Sequence, residues 1–445
     1  MSKSPGALSR MRSTGAFTWA RQVVEPSDGS QPTMSEQAPW VPPSKPPRIL
    51  IVDDQPMNVL LAQRVLVPAG FEVRVARSGG EALAVAQESQ PDLILLDMHL
   101  PDMHGLEVLR RMLESPWGGH LLVLAMSAHA TAEDEALWRH AGCAGTIEKP
   151  IDVVDTTTNK LVAQLAKGKF AGFTGKPDTS GPDGVLVIPG DTVAWVGDSP
   201  GLIKAVDLKS GAVVASISNG GKNRADELAY DPKNHLIVIT NNADEPPFIT
   251  FISTTSRKAV GKIVYSNAGG LEQPVFDRES GMFFQNVVSS KENPGGAVDK
   301  IDPKTMKVVA TYPVPECKPA GLALGPQHQL AVGCSGDAID DGAHAQTIIL
   351  DATDGHIVAK ITEVGGSDEV WYNPGDNRYY TASRSMTSNG MKDGKSTPVV
   401  GVIDAGTNKW ITNIPSGKNA HSVAVDPSNN HVFVPVPNGI AVFGQ

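Results

Sequence analysis

Aromatic side chains are scarce in this chain: Phe, Trp and Tyr make up 5% of it, against 40% hydrophobic residues overall. Its cores must therefore be largely aliphatic. Cysteine is scarcer still. Cys143, Cys317 and Cys334 are the only three in 445 residues, which make no disulfide framework and show no zinc-ligand spacing. No run of about 18 apolar residues occurs, so no transmembrane helix is expected. Nor does the N-terminus carry the apolar stretch of about 7–15 residues that a secretory signal needs. Positive charge is in deficit, with 38 Lys and Arg against 48 Asp and Glu and a net charge of −10. That balance argues against a nucleic-acid-binding surface. As written, the chain is expected to be cytoplasmic.

What is plentiful is glycine (44) and proline (34), and hence turns. The length calls for two or more domains. Residues 1–47 are rich in Ser, Pro, Gly and Gln, show no periodicity and are expected to be disordered. Met34 begins Met-Ser-Glu-Gln and is an alternative start to Met1.

From 48 to 150 strand-like and helix-like segments alternate. The apolar runs are 48–54, 71–76, 92–97, 120–126 and 144–149, and the helical stretches between them lie near 57–67, 79–88, 105–114 and 131–140. This alternation predicts an α/β, flavodoxin-like domain with a parallel five-stranded sheet and its site at the carboxyl ends of the strands.

Beyond about 153 the texture changes and one phrase recurs. It begins with a strand ending in Asp155, Asp207, Ser253, Asp302, Asp351 or Asp404, followed by a polar turn and a second strand. Successive spacings are 52, 46, 49, 49 and 53 residues. A period of about 40–50 residues with short strands is the mark of a β-propeller. A second phrase, strand then Asp-Pro turn, opens blades, as at Asp231-Pro232 and Asp426-Pro427.

In the first domain Asp53 and Asp54 close the first strand and Asp97 closes the third. Three carboxylates brought together either share a proton or bind a hard cation, and Mg²⁺ fits an all-oxygen site. Lys149 closes the fifth strand and Ser127 follows the fourth; each can stabilise a phosphoryl oxygen. Asp53-Asp54, the loop Asp97-Met98-His99-Leu100-Pro101-Asp102-Met103-His104-Gly105, Ser127-Ala128 and Lys149-Pro150 occur in order. In this, residues 48–151 resemble the receiver domains of two-component response regulators. The resemblance implies that Asp97 takes a phosphoryl group from a histidine kinase or histidine phosphotransfer protein. It also implies that Mg²⁺ is held by Asp53, Asp54, Asp97 and the backbone carbonyl of His99, and that Ser127 and Lys149 meet the phosphoryl group. Asp102 reads as a helix cap or turn, His99 and His104 side chains as exposed loop residues, and Cys143 as a small buried residue.

Two departures stand out. Thr146 occupies the position where receivers usually carry a switching aromatic. The last receiver helix should follow Pro150, but its β-branched and Asn residues are poor helix formers. Segment 152–165 also matches the repeated hairpin, and strand is the favoured reading. The receiver would then lack its last helix and leave one sheet face partly uncovered.

Residues 152–445 resemble bacterial YVTN-type propeller proteins, whose implied role is that of a binding scaffold. Five full blades start near Gly181, Ala225, Leu271, Pro319 and Asp368, and a partial one near Ala420. Six blades are expected, with 421–426 and 431–436 pairing with the hairpin at 153–165, and 439–443 competing with it or adding to it. An incomplete seven is the alternative. Arg224, Asp226, Glu227, Glu272, Asp368, Glu369 and His421 would line the funnel, either as a cation site or as solvated rim charges and blade-to-blade bonds.

Cys317 and Cys334 flank a hairpin and could pair, which requires an oxidising compartment, whereas a receiver needs cytoplasmic kinases. That conflict suggests a fusion in which an exported, periplasmic-type propeller has lost its signal segment and first half-blade. The expected function is phosphorelay signalling with the propeller as binding module and no catalysis beyond self-phosphorylation. The alternative is an exported-type binding scaffold carrying a non-signalling receiver.

Overall fold

The computed structural model describes residues 46–444 apart from 55–57, 60–61, 64–65, 68–69, 119–120, 127–136, 139, 148–150, 167, 173–176, 189, 191, 418–419 and 437–438. The chain divides into two compact units, with the break between Lys149 and Pro150.

The first unit is a parallel sheet in the order β2-β1-β3-β4-β5, with strands β1 (Arg48–Val52), β2 (Glu72–Ala76), β3 (Leu93–Asp97), β4 (Val123–Met126) and β5 (Gly145–Ile147). The continuous apolar runs of β1 and β3 follow from burial on both faces. One face carries Leu50, Val52, Ile94 and Leu96 under helices α1 (Gly79–Ser89) and α2 (Gly105–Glu114). The other carries Ile49, Ile51, Leu95 and Met126, packed with Val59, Ala62 and Leu66, helical residues between β1 and β2. On this face Leu93 of β3 and Leu124 of β4 are half-buried and Leu122 is exposed, and the side chains of β5 lie outside the described residues. The strand order reverses between β1 and β3, which opens the crevice at their carboxyl ends.

Residues 151–165 form a hairpin, β6 (Ile151–Asp155) and β7 (Lys160–Leu165), and not a helix. Turn chemistry decides this. Asp155 Oδ1 accepts the backbone N–H of Thr157 at 2.9 Å and of Thr158 at 2.7 Å, and Asn159 takes a left-handed φ of 55°. The same device recurs in every repeat. The residue four places after Asp155, Asp207, Ser253, Asp302, Asp351 and Asp404 has φ between 53° and 80°, and each hairpin then carries a β-bulge. A left-handed residue followed by a bulge is what a turn of this length requires to keep the strand twist.

Five four-stranded sheets follow: β8–β11 (Val185–Ser218), β12–β15 (Leu228–Val264), β16–β19 (Leu271–Pro313), β20–β23 (Pro319–Ile361) and β24–β27 (Glu369–Pro415). A three-stranded sheet ends the chain: β28 (Ala424–Asp426), β29 (His431–Val436) and β30 (Gly439–Phe443). The arrangement is a propeller of six blades. Each blade packs on the next through fully buried aliphatic and aromatic side chains, such as Ile237, Phe251, Phe283, Val332 and Ile349, each worth about 1.5–3 kcal/mol of burial.

The expected closure differs in detail. β29 pairs with β30, and β6–β7 is a separate two-stranded sheet. β30 pairs antiparallel with β29, its neighbour in the chain, and β6 pairs with β7. The hairpin is held by other means. Thr156 Oγ1 donates to Asp426 Oδ2 at 2.5 Å, Asn429 Nδ2 donates to the Thr156 carbonyl at 3.0 Å, and Ile151, Leu165 and Ala166 pack on Val185, Val196 and Val206.

Cys317 and Cys334 are joined in a disulfide, both sulfurs buried beside Leu322 and Val332. The loop it closes has a sequence separation of 17, so in the chain-entropy account it contributes about 3 kcal/mol. Cys143 is buried, and that burial pushes its thiol pKa up to about 11. A Cys317→Ala/Cys334→Ala double variant is expected to lose about 3 kcal/mol in urea unfolding. A thiol assay on the unreduced protein should find Cys143 alone, and only after denaturation.

Candidate functional site

At the carboxyl edge of the first sheet, β1 runs straight into Asp53 and Asp54, and β3 ends on Asp97. Oxygens of all three carboxylates lie within 4.8 Å of one another. Asp53 is buried, with its Oδ2 accepting from Asn58 Nδ2 at 2.8 Å, while Asp54 and Asp97 are half-exposed. Asp97 Oδ1 also accepts the backbone N–H of His99 at 2.9 Å, which fixes the start of the loop around the carboxylate. Three carboxylates at this separation repel unless a proton or a cation lies among them. An all-oxygen set of this kind suits a hard divalent ion such as Mg²⁺.

The loop after Asp97 is closed tightly. Met98 N–H donates to the Met126 carbonyl at 3.1 Å, Gly105 N–H donates to the Met98 carbonyl at 2.9 Å, and His99 and His104 bridge as an isolated antiparallel pair. Their rings meet edge-on at 5.6 Å, and His104 Nδ1 accepts from Leu106 N–H at 3.2 Å, capping α2. A Cβ on Gly105 would stand 2.6 Å from the Asp97 carbonyl oxygen and 2.7 Å from Met98 Cα, so only glycine lets the loop turn into α2 here. Asp102 is a helix cap. It accepts from Gly80 N–H at 2.8 Å and Gly79 N–H at 2.7 Å at the start of α1, and these bonds hold its pKa below the usual carboxylate value. Ser127 and Lys149 lie outside the described residues, and of Thr146 only the backbone is described, paired with Ala125 in β5.

The seven charged residues expected to line the propeller funnel fall at or just before the starts of innermost strands, where some pair between blades and others within one. Arg224 bridges Asp183 at 2.6 Å and Asp226 at 3.1 Å; Asp368 meets Arg384 and His421, each at 3.4 Å. Glu369 accepts the Val423 N–H at 3.1 Å and Glu272 accepts from Asn242 Nδ2 at 2.9 Å. Glu227 and Glu369 share a narrow crevice with Gly184 and Ser422.

The large cavity, about 870 Å³, opens at the other ends of the same six strands and contains none of the seven. Its wall holds Tyr230, Phe276, Trp371 and Tyr372, with Asp277, Glu279 and His328 on one side. The signal for it was present in the Tyr-Asp-Pro and Trp-Tyr-Asn-Pro phrases, but an aromatic before a turn reads as ordinary hairpin packing until the ends of the six innermost strands, three of them bearing aromatics, are ringed together. His328 Nε2 contacts Glu279 at 2.6 Å and its Nδ1 contacts Asp277 at 3.3 Å. These bonds raise its pKa, the Glu279 bond most.

The first unit is thus a doubly wound domain with an acidic crevice at its switch point, and the second is a six-bladed propeller. The model of the response regulator receiver domain matches residues 49–159, a span that runs on through β6 and its turn. Polar-differentiation response regulator DivK of Brucella anthropi is 39% identical over 108 residues, covering 24% of this chain and 88% of its own. The DivK of Brucella ovis is 40% identical over 105 residues, 24% of this chain and 85% of its own. Through this segment the chain belongs to the response-regulator receiver family, and so to two-component phosphorelay signalling. For the second unit, a chain of Kuenenia stuttgartiensis hydrazine synthase is similar over 66% of this chain and 89% of its own, with a TM-score of 0.54 at 14% identity; that likeness is one of fold alone.

Two outcomes follow from this geometry. Gly105→Ala should displace the loop that carries Asp97, cost about 1–3 kcal/mol by overpacking, and slow labelling by acetyl phosphate. The raised pKa of His328 means that its contribution is fully present below the ordinary histidine value of about 6.5 and is lost as pH rises through the higher folded value. Thermal unfolding of the propeller should therefore occur at lower temperature as pH rises from about 6 to about 9. His328→Gln should flatten that dependence, and an unaltered slope in the variant would refute the assignment.

Proposed function

We propose that Asp97 accepts a phosphoryl group from the imidazole of a histidine kinase or histidine phosphotransfer protein. The observation that carries this reading is the convergence of Asp53, Asp54 and Asp97 at the switch point. An Asp97 carboxylate oxygen attacks phosphorus, the P–N bond to the donor imidazole breaks, and the imidazole nitrogen takes up a proton. Asp53, Asp54 and Asp97, with the backbone carbonyl of His99, would hold Mg²⁺, which when bound neutralises charge on the phosphoryl oxygens. Asn58 and the His99 N–H hold two of these carboxylates in place. Lys149 pairs with a phosphoryl oxygen and Ser127 donates a hydrogen bond to another, each worth about 10²-fold in rate by analogy with other charge-stabilising donors. No external substrate is turned over, so the domain is a phosphoacceptor and not an enzyme in the ordinary sense. The product adds about −1.5 to −2 units of charge at the strand ends.

The propeller serves as the binding module. Its Asp-led hairpins support membership of the YVTN repeat type, and its cavity supports a ligand or protein partner; nucleic acid is not among the partners proposed. The receiver's chemistry supports a location with kinases in the cytoplasm. A second reading is favoured by one observation, the buried Cys317–Cys334 bond: the propeller is of exported, periplasmic origin and the receiver is a passenger. Fractionation with thiol counting separates the two, since export with the bond intact supports the second.

The test of the first reading is acetyl phosphate with Mg²⁺, followed by intact mass. The wild type should gain one phosphoryl group, chelation of Mg²⁺ should prevent it, and Asp97→Asn should show none. Equal labelling of Asp97→Asn would sink the proposal.

A further inference from the structure

The cavity at the turn end of the propeller funnel has the volume of a small-molecule site, which typically falls between about 300 and 1,000 Å³. Its mouth is ringed by half-buried apolar and aromatic residues, among them Tyr230, Phe276, Trp371 and Tyr372. Three of these rings are held in place from behind. Phe276 packs on Phe283 at 4.9 Å, Tyr372 packs on Tyr379 at 5.5 Å and donates its hydroxyl to Asn377 at 2.9 Å, and the Tyr230 hydroxyl is bonded to His235 at 3.3 Å.

Charge at this mouth is one-sided. Just beneath it sit three buried aspartates, Asp231, Asp277 and Asp426, each at the end of an innermost strand. Asp231 takes its bonds from the N–H groups of Lys233 and Asn234 and from the Asn234 side chain, and Asp426 from Ser428 and Thr156. Peptide and hydroxyl dipoles satisfy these carboxylates but leave their charge in place. On the wall itself, His328 is shared between Asp277 and Glu279, so that trio is one negative charge in excess even with the imidazole protonated. Among the described residues, Arg278 is the one basic side chain other than His328 in the lining, and it is exposed to solvent, where its field is screened. A low-dielectric funnel above fixed carboxylates concentrates negative potential at its mouth, and aromatic faces attract cations through their quadrupole.

We propose that this mouth binds an organic cation, a substituted ammonium carrying an apolar or aromatic group. The inference rests on the reading of the propeller as a binding module and names the class of ligand. The apolar part lies against Trp371, Tyr372 and Phe276, and the ammonium faces the Glu279 side.

Titration calorimetry of the full-length, disulfide-bonded protein tests it with three probes: phenyltrimethylammonium, its uncharged isostere tert-butylbenzene, and the anion toluenesulfonate. The cation should bind at least about tenfold more tightly than the isostere, the anion should not bind, and Trp371→Ala should remove binding. Glu279→Gln, at an exposed position, should weaken the cation alone. Equal affinity for cation and isostere, lost in Trp371→Ala, would overturn the charge class while leaving the funnel as a binding site. Silence of all three probes, or binding untouched by both substitutions, would overturn the ligand class and the funnel site together.

Discussion

A carboxylate at the end of a strand has to be satisfied, and both units of this protein are organised by how that is done. In the propeller the Asp that opens each of five repeated hairpin turns folds its own turn: Asp155, Asp207, Asp302, Asp351 and Asp404 accept N–H groups two or three residues ahead. Those bonds lower the pKa of Asp155, Asp207, Asp351 and Asp404, so the turns are strongest where the carboxylates are ionised and weaken in acid. In the receiver, Asp53, Asp54 and Asp97 instead point into a shared crevice from two strands. There the local turn cannot absorb the charge of all three, and the excess is available for chemistry. One residue type in one local position thus makes a turn in one setting and an acidic crevice in the other.

Segment 151–165 shows the same logic working against the receiver. The family match runs to 159, yet the turn at Asp155 and the left-handed Asn159 draw the segment into a hairpin. A helix there would place Asn159 and three Thr in its interior, against their propensities. The hairpin gains the Asp426 and Asn429 bonds and the packing of Ile151 and Leu165. Among the described residues, the chain after β5 forms this hairpin in place of a helix.

The two ends of the propeller funnel are chemically different for a reason visible in the strand geometry. Where the inner strands begin, charges face their neighbours across blades and cancel in pairs such as Arg224 with Asp183. Where they end, the chain turns back, Asp231, Asp277 and Asp426 are buried beneath the surface, and Tyr230, Phe276, Trp371 and Tyr372 are left at the rim. Charged residues selected by type alone lead to the first end. The cavity is at the second, because a cavity is a property of the ring and not of any one blade.

The order of secondary structure, the acidic triplet with its Gly105 turn, the six-fold hairpin and the Cys317–Cys334 pairing were all legible in the chain, because each rests on local backbone chemistry or on a motif of fixed spacing. Asp102 could be read as a cap for the same reason. Which partner β29 takes, where the large cavity opens and how far a sheet face stays covered were not legible. Each is a choice between distant segments of similar local preference, settled by the shape of the assembled ring. What the sequence determined by itself is the set of strand-end carboxylates and the turns they build; tertiary structure alone decided which of those carboxylates meet one another and which face a cavity.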